Sequence, residues 1–200
     1  MSRQRHFLDI DQLDSSIIRS ILDRAMEFKN GFPGVESLMA GKTLVLIFEK
    51  PSTRTRVSFE VGMQQLGGNV VVLGEKDSQL GRGETVADTS RVLSRYADIL
   101  MLRTSTHRKL LDLAKYASIP VINGLTDDSH PCQIMADIMT FEEHRGPIEE
   151  KVVTWVGDGN NVTYSWMTAA AMLGLKLSIG CPASCKPQSP GDLDIDGFVE

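Results

Sequence analysis

Short apolar runs alternate along the chain with stretches whose apolar residues recur every three or four positions. "TLVLIF" (43–48), "NVVVL" (69–73), "ADILMLR" (97–103) and "IPVING" (119–124) are too short for helices and are bounded by Gly, Pro, Asn or charge, which predicts buried strands. Helical spacing predicts helices near 14–29, 52–66, 85–96, 106–117 and 131–145, the first capped by Asp14 or Ser15. Strand and helix in alternation predict an α/β fold, a parallel sheet flanked by helices on both faces.

Gly146 and Pro147, in "HRGPIEE", end the last of these helices. "KVVTWVGDGNNVTYSWMTAAAMLGLKLSIGCP" then reads as strand, glycine turn, helix and strand, the start of a second α/β domain. The expected division is 1–146 and 147–200. One βαβ unit cannot close a core on both faces, so the second domain is expected to be incomplete at residue 200. After Ser189 the pattern carries only a hint of helix.

Composition narrows the partners. The chain is 42% hydrophobic and 24% charged with a formal net charge of -5, a globular balance that argues against nucleic acid as the main partner. The opening "MSRQRHFLDIDQLDSS" has no apolar run after its charges and no stretch approaches a membrane span, which predicts a cytoplasmic protein. Cys132, Cys181 and Cys185 form no CxxC pair, and no histidine stands near the last two. Reduced thiols and no metal are expected.

In an open α/β sheet, ligands bind outside the carboxyl ends of the strands. The first run is followed by Ser52-Thr53-Arg54-Thr55-Arg56, opening a helix. Free N–H groups and the helix dipole favour an anion there, and hydroxyls and guanidiniums add charge-assisted hydrogen bonds. The third run ends in Arg103; after the fourth, His130 and Gln133 in "HPCQ" head another helix. Each has a plainer reading: Ser52 and Thr53 as caps, Arg103 as a solvated charge, His130 as a satisfied loop histidine. Taken together at the ligand-binding edge, they are a candidate site for a small anion. "VGDGNNV" (156–162) starts like a dinucleotide fingerprint but has Val162 in place of the third glycine. A tight turn into a helix is the favoured reading, with Asn160 and Asn161 as polar candidates.

"FEKPSTRTRVSFE", "SQLGRGE", "ADILMLRT", "PVINGLTDDSHPCQIMAD" and "WVGDGNN", in this order, resemble the N-terminal two-thirds of the ornithine branch of the aspartate/ornithine carbamoyltransferase family. Lys50, Cys132 and the "GDGNN" turn favour that branch over the aspartate one. The resemblance implies a carbamoyl phosphate domain (1–146) and the beginning of an ornithine domain (147–200). It implies transfer of a carbamoyl group from carbamoyl phosphate to the δ-amine of L-ornithine, a step of arginine biosynthesis or urea-cycle type, without cofactor. The implied carbamoyl phosphate ligands are Ser52, Thr53, Arg54, Thr55, Gln79, Arg103, His130, Pro131, Cys132 and Gln133. Arg103, His130 and Thr55 are the implied catalytic donors to the carbonyl oxygen. Arg54, with Arg56 less directly, would neutralise the phosphate, and Asn161 would bind ornithine. Gln79 would reach the site of an adjacent subunit in a homotrimer or a multiple of one. The ornithine and cysteine segments of the family lie beyond this pattern, so these residues alone are expected to bind carbamoyl phosphate and catalyse poorly or not at all. The rivals are a relative acting on putrescine, acetylornithine or aspartate, and a non-catalytic phosphate-binding module.

Overall fold

A computed structural model describes residues 6–74, 83–187 and 198–199. The chain packs as two compact units. The first holds the described residues through Leu8 together with Glu27–Thr126. The second holds Asp9–Met26 and the described residues from Asp127 on.

The first unit is a four-stranded sheet of β1 (Thr43–Phe48), β2 (Asn69–Leu73), β3 (Ile99–Arg103) and β4 (Val121–Leu125) in the order β2-β1-β3-β4. All pairings are parallel. Alternate residues of β1 serve opposite faces, as the two-residue pleat requires. Leu44, Leu46 and Phe48 pack with Met63 of α2 (Thr53–Gln65) and Met101. Val45 and Ile47 pack with Leu110, Leu113 and Ala114 of α4 (His107–Tyr116), which lies beside α3 (Val86–Leu93). Helices therefore cover both faces, and β1 is apolar from Leu44 to Phe48 because both its sides are buried there. The outer edge of β4 is covered by the chain near Phe7, whose N–H donates to the Val121 carbonyl (2.8 Å) and whose carbonyl accepts from Asn123 N–H (2.8 Å).

The strand order reverses between β1 and β3, so their carboxyl ends frame the switch-point crevice of this sheet. Phe48 and Arg103 are register partners there.

In the second unit, β5 (Val152–Val156), β6 (Lys176–Gly180) and β7 (Phe198–Val199) form a parallel three-stranded sheet, with α6 (Asn161–Leu173) joining β5 to β6. α6 packs on α5 (Pro131–Arg145) and on the turn Ile10–Gln12. Arg19 of α1 (Ser15–Lys29) forks onto Glu142 of α5, with both N–O distances 2.8 Å. Val152 and Val156 of β5 are 63% and 82% exposed, so one side of this strand is open and the other is only half-buried.

The expected elements are present with shifted ends. The third strand begins at Ile99 rather than 97, because Ala97 still closes the α3 end through its N–H to the Leu93 carbonyl (2.9 Å). The Asp98 carboxylate meanwhile takes Lys42 and the Thr43 N–H, each at 2.9 Å. α3 ends at Leu93 rather than near 96; Arg95 and Tyr96 continue only in tighter turn bonds to the carbonyls three residues back. The hint of helix after Ser189 falls outside the described residues. No helix among those described is long and apolar enough to cross a membrane.

Candidate functional site

α2 begins at the carboxyl end of β1, and its first turn is built by its own hydroxyls. Ser52 stands in extended backbone as the N-cap, its Oγ accepting from Thr55 N–H (3.3 Å) while donating to Thr55 Oγ1 (3.0 Å). Its hydroxyl is thereby committed to the helix. The Thr53 and Arg54 N–H groups, in the first helical turn, have no partner within the helix and point along its axis.

Thr55 links this turn to β3. Its Oγ1 also accepts from Arg103 Nη1 (3.3 Å), so with both lone pairs engaged its own O–H is left to donate. Burial first, and the like charge of Arg54 second, push the Arg103 guanidinium below its usual range. Arg103 Nε is buried and has no hydrogen-bond partner among the described residues. Two guanidiniums close enough to repel, at a helix N-terminus, form a cationic cradle that an anion relieves. Arg56 turns away to Glu60 one helical turn on (3.0 Å), on the exposed face of α2.

His130, Pro131, Cys132 and Gln133 form the head of α5 in the second unit. His130 is at the N-cap position and Pro131 at the first helical one, where a missing N–H costs nothing. The His130 N–H donates to Ser165 Oγ of α6 (2.8 Å), which anchors the loop. Gln133 Nε2 donates to Asp137 Oδ1 (2.7 Å), which fixes which end of its amide is the donor there. Burial raises the Asp137 carboxyl above its usual value, and the Gln133 bond partly offsets that. Burial pushes the Cys132 thiol up to about 12, so it is neutral and no nucleophile near pH 7. Cys181 and Cys185 are free thiols, half-buried.

The "GDGNN" segment is a turn into α6. Asn160 caps the helix, its Oδ1 accepting from the Val162 and Thr163 N–H groups (2.9 and 3.3 Å), so its side chain is spent on structure. A side chain at Gly159 would run into the Cys185 carbonyl and Pro187. Asn161 opens the helix, with its carbonyl accepting from Ser165 Oγ (3.1 Å). Gln79 lies outside the described residues.

The first unit thus brings together Ser52, Thr53, Arg54, Thr55 and Arg103, while His130, Pro131, Cys132, Gln133 and Asn161 belong to the second. Asp137 escaped the sequence reading, although its four-residue spacing from Gln133 on a predicted helix was a readable signal. Glu49, which bonds both Thr104 and Lys109 beside Arg103, has no local signal: the three come together only through the pairing of β1 with β3 and the packing of α4.

Residues 5–143 match the family model described as aspartate/ornithine carbamoyltransferase, carbamoyl-P binding domain, and residues 149–194 match the Asp/Orn binding domain. The ornithine carbamoyltransferase of Agrobacterium fabrum is 53% identical over 189 residues, covering 94% of this chain and 62% of that protein. That of Rhizobium meliloti is 53% identical over 185 residues, covering 92% and 61%. The chain therefore spans about three-fifths of the length of these relatives. Among solved structures, the ornithine carbamoyltransferase of Pyrococcus furiosus superposes with a TM-score of 0.88 at 49% identity, covering 92% of this chain and 59% of that one. The Burkholderia thailandensis enzyme gives 0.86 at 43%, covering 94% and 67%. Two matched domain models and this level of identity have one common explanation: the chain belongs to the aspartate/ornithine carbamoyltransferase family.

Proposed function

We propose that this chain supplies the carbamoyl phosphate-binding part, and the first portion of the ornithine-binding part, of an enzyme that converts carbamoyl phosphate and L-ornithine to L-citrulline and phosphate. The observation that carries the reading is the cationic cradle at the β1/β3 switch point, with Arg103 bonded to Thr55 and repelled by Arg54. Ornithine is the favoured acceptor because the similar curated proteins are named ornithine carbamoyltransferases.

The Thr53 and Arg54 N–H groups and the Arg54 guanidinium take the phosphate oxygens, with Ser52 and Thr55 shaping the cradle. Arg103, the Thr55 hydroxyl and His130 donate to the carbamoyl oxygen, and Gln133 Oε1 accepts from the carbamoyl NH2. Pro131 and Cys132 wall the site, Asn161 holds ornithine, and Gln79 serves the neighbouring subunit of a homotrimer. The δ-amine lone pair forms the N–C bond, negative charge collects on the carbamoyl oxygen, and the C–O bond to phosphate then breaks. Phosphate departs with that electron pair and takes the amine proton. Losing one donor to such an oxyanion typically costs about 100- to 1,000-fold in turnover. The binding domains are 1–146 and 147–200, the setting is cytoplasmic, and the step belongs to arginine metabolism.

Calorimetric titration of the chain with carbamoyl phosphate tests the reading. Saturable one-to-one binding that Arg54→Gly abolishes or greatly weakens is expected. No binding by the wild type, or unchanged binding by Arg54→Gly, overturns it.

A further inference from the structure

A carboxylate beside a cradle for a dianion opposes binding unless it is neutralised or put to use. Glu49 is such a group: it directly follows β1, three residues before the cap of α2. One carboxylate oxygen accepts from Lys109 Nζ of α4 (2.7 Å) and the other from the Thr104 hydroxyl (2.5 Å). Lys109 cancels its charge, so the remaining question is what the Thr104 bond does.

Thr104 follows Arg103 and is 1% exposed. The backbone of this pair is tied on both sides. Glu49 N–H donates to the Arg103 carbonyl (2.9 Å), and Thr104 N–H donates to the Leu125 carbonyl (3.0 Å). Thr104 Oγ1 also accepts from Thr106 N–H (3.3 Å), which starts the chain towards α4. These ties fall where β3 slips against β4: Leu102 pairs with Asn123, but Arg103 pairs with Leu125. Such an irregularity re-aims the side chain that follows it. Leu125 has a φ of 155°, outside the range leucine ordinarily adopts, so the carbonyl that holds Thr104 is itself set by the surroundings.

We propose that Glu49, clamped between Thr104 and Lys109, is a positioning residue for Arg103: it fixes the Arg103–Thr104 backbone so that the guanidinium reaches Thr55 and the carbonyl oxygen of the bound ligand. The choice of ligand rests on the carbamoyl phosphate reading above. Glu49 and Thr104 touch no ligand atom in this scheme. Their effect falls on the carbonyl end, which Arg103 serves, and spares the phosphate end, held by Arg54 and the start of α2.

Two ligands separate positioning from general loosening. Thr104→Val keeps the shape and removes the hydroxyl; Thr104→Ser restores it. Each variant is titrated with carbamoyl phosphate and with inorganic phosphate, which lacks the carbonyl oxygen. Thr104→Val should lose about 10- to 100-fold in carbamoyl phosphate affinity, the range expected for a charge-assisted hydrogen bond, with phosphate affinity changed by less than about twofold. Thr104→Ser should recover the wild-type value. Equal carbamoyl phosphate affinity in Thr104→Val, or a parallel loss for both ligands, overturns the proposal. A crystal structure of Glu49→Met decides the positioning without any ligand, since its apolar side chain keeps similar length but bonds neither Thr104 nor Lys109. Displacement of the Arg103 guanidinium from Thr55 supports the proposal, and an unchanged Arg103–Thr55 contact overturns it. A wild-type chain that binds neither ligand defeats the functional reading, and the crystal comparison still decides the link from Glu49 to Arg103.

Discussion

Replacing Arg103 with Met should move stability and affinity in opposite directions. Without ligand, Arg103 holds a desolvated guanidinium whose Nε is buried without a described partner, and Arg54 repels it. A buried unsatisfied donor costs about 1–3 kcal/mol, and charge brought out of water beside a like charge adds to that. The residue is only half-buried, and Met forfeits the Thr55 bond at 3.3 Å, so the net gain works out at about 1 kcal/mol. For a chain of this size that is a rise of roughly 2–4 °C in Tm. The same change removes a charge-assisted donor to the ligand, for a loss of about 10- to 100-fold in carbamoyl phosphate affinity. Differential scanning calorimetry without ligand and titration calorimetry with it read the two effects separately. A fall in Tm would show Arg103 to be a structural residue and would refute the reasoning, as would undiminished affinity. The contrast is the expected mark of a site that holds repulsive charge ready for an anion.

Glu142 offers a pH test. Burial alone would raise its carboxyl, but the hydrogen bonds from Arg19 and the Ile148 N–H outweigh burial and hold it below the ordinary value. Its contribution is therefore complete above the unfolded carboxyl pKa and fades as pH falls through the lower folded one. Glu142→Gln should destabilise the chain by about 1–2 kcal/mol at pH 7 and flatten the acid limb of the stability curve; an unchanged limb counts against the pairing. Cys132, with its thiol near 12, should stay unmodified by iodoacetamide at pH 7.5 in the folded chain and react after denaturation, as read by peptide mass spectrometry; rapid labelling in the folded chain contradicts the desolvation that raises it. Gly159→Ala would press a methyl group against the backbone at Cys185 and Pro187, so a Tm lower by several degrees is expected, and an unchanged Tm would contradict the close approach.

Where local pattern alone decides structure, the sequence was readable. β1 and β2 match their expected bounds of 43–48 and 69–73, and α5 matches 131–145. Apolar runs bounded by polar residues mark those strands, and Pro131 and Gly146 mark the helix ends. The ends that moved depend on partners far along the chain. β4 starts at Val121 and not at 119 because it takes its place from β3, as the Pro120 carbonyl accepting from Leu100 N–H (2.9 Å) shows. The same division holds at the candidate site. The Ser52 cap and the placing of Arg103 beside the start of α2 follow from motif and topology. Asn160 was left open as a ligand group and proved to be a cap, which its position before an apolar helix also allowed. The Glu49–Thr104 and Glu49–Lys109 bonds span 55 and 60 residues and arise only once β1, β3 and α4 are packed.

The account depends on one small phosphorylated molecule being gripped at its two ends by different residues. A crystal structure of the chain with a non-hydrolysable carbamoyl phosphate analogue, the bridging oxygen replaced by CH2, tests this most directly. The account predicts phosphonate oxygens on the Thr53 and Arg54 N–H groups and the Arg54 guanidinium, with the carbonyl oxygen on Arg103, Thr55 and His130. A phosphonate seated away from the start of α2, or a carbonyl oxygen that Arg103 does not reach, would contradict it.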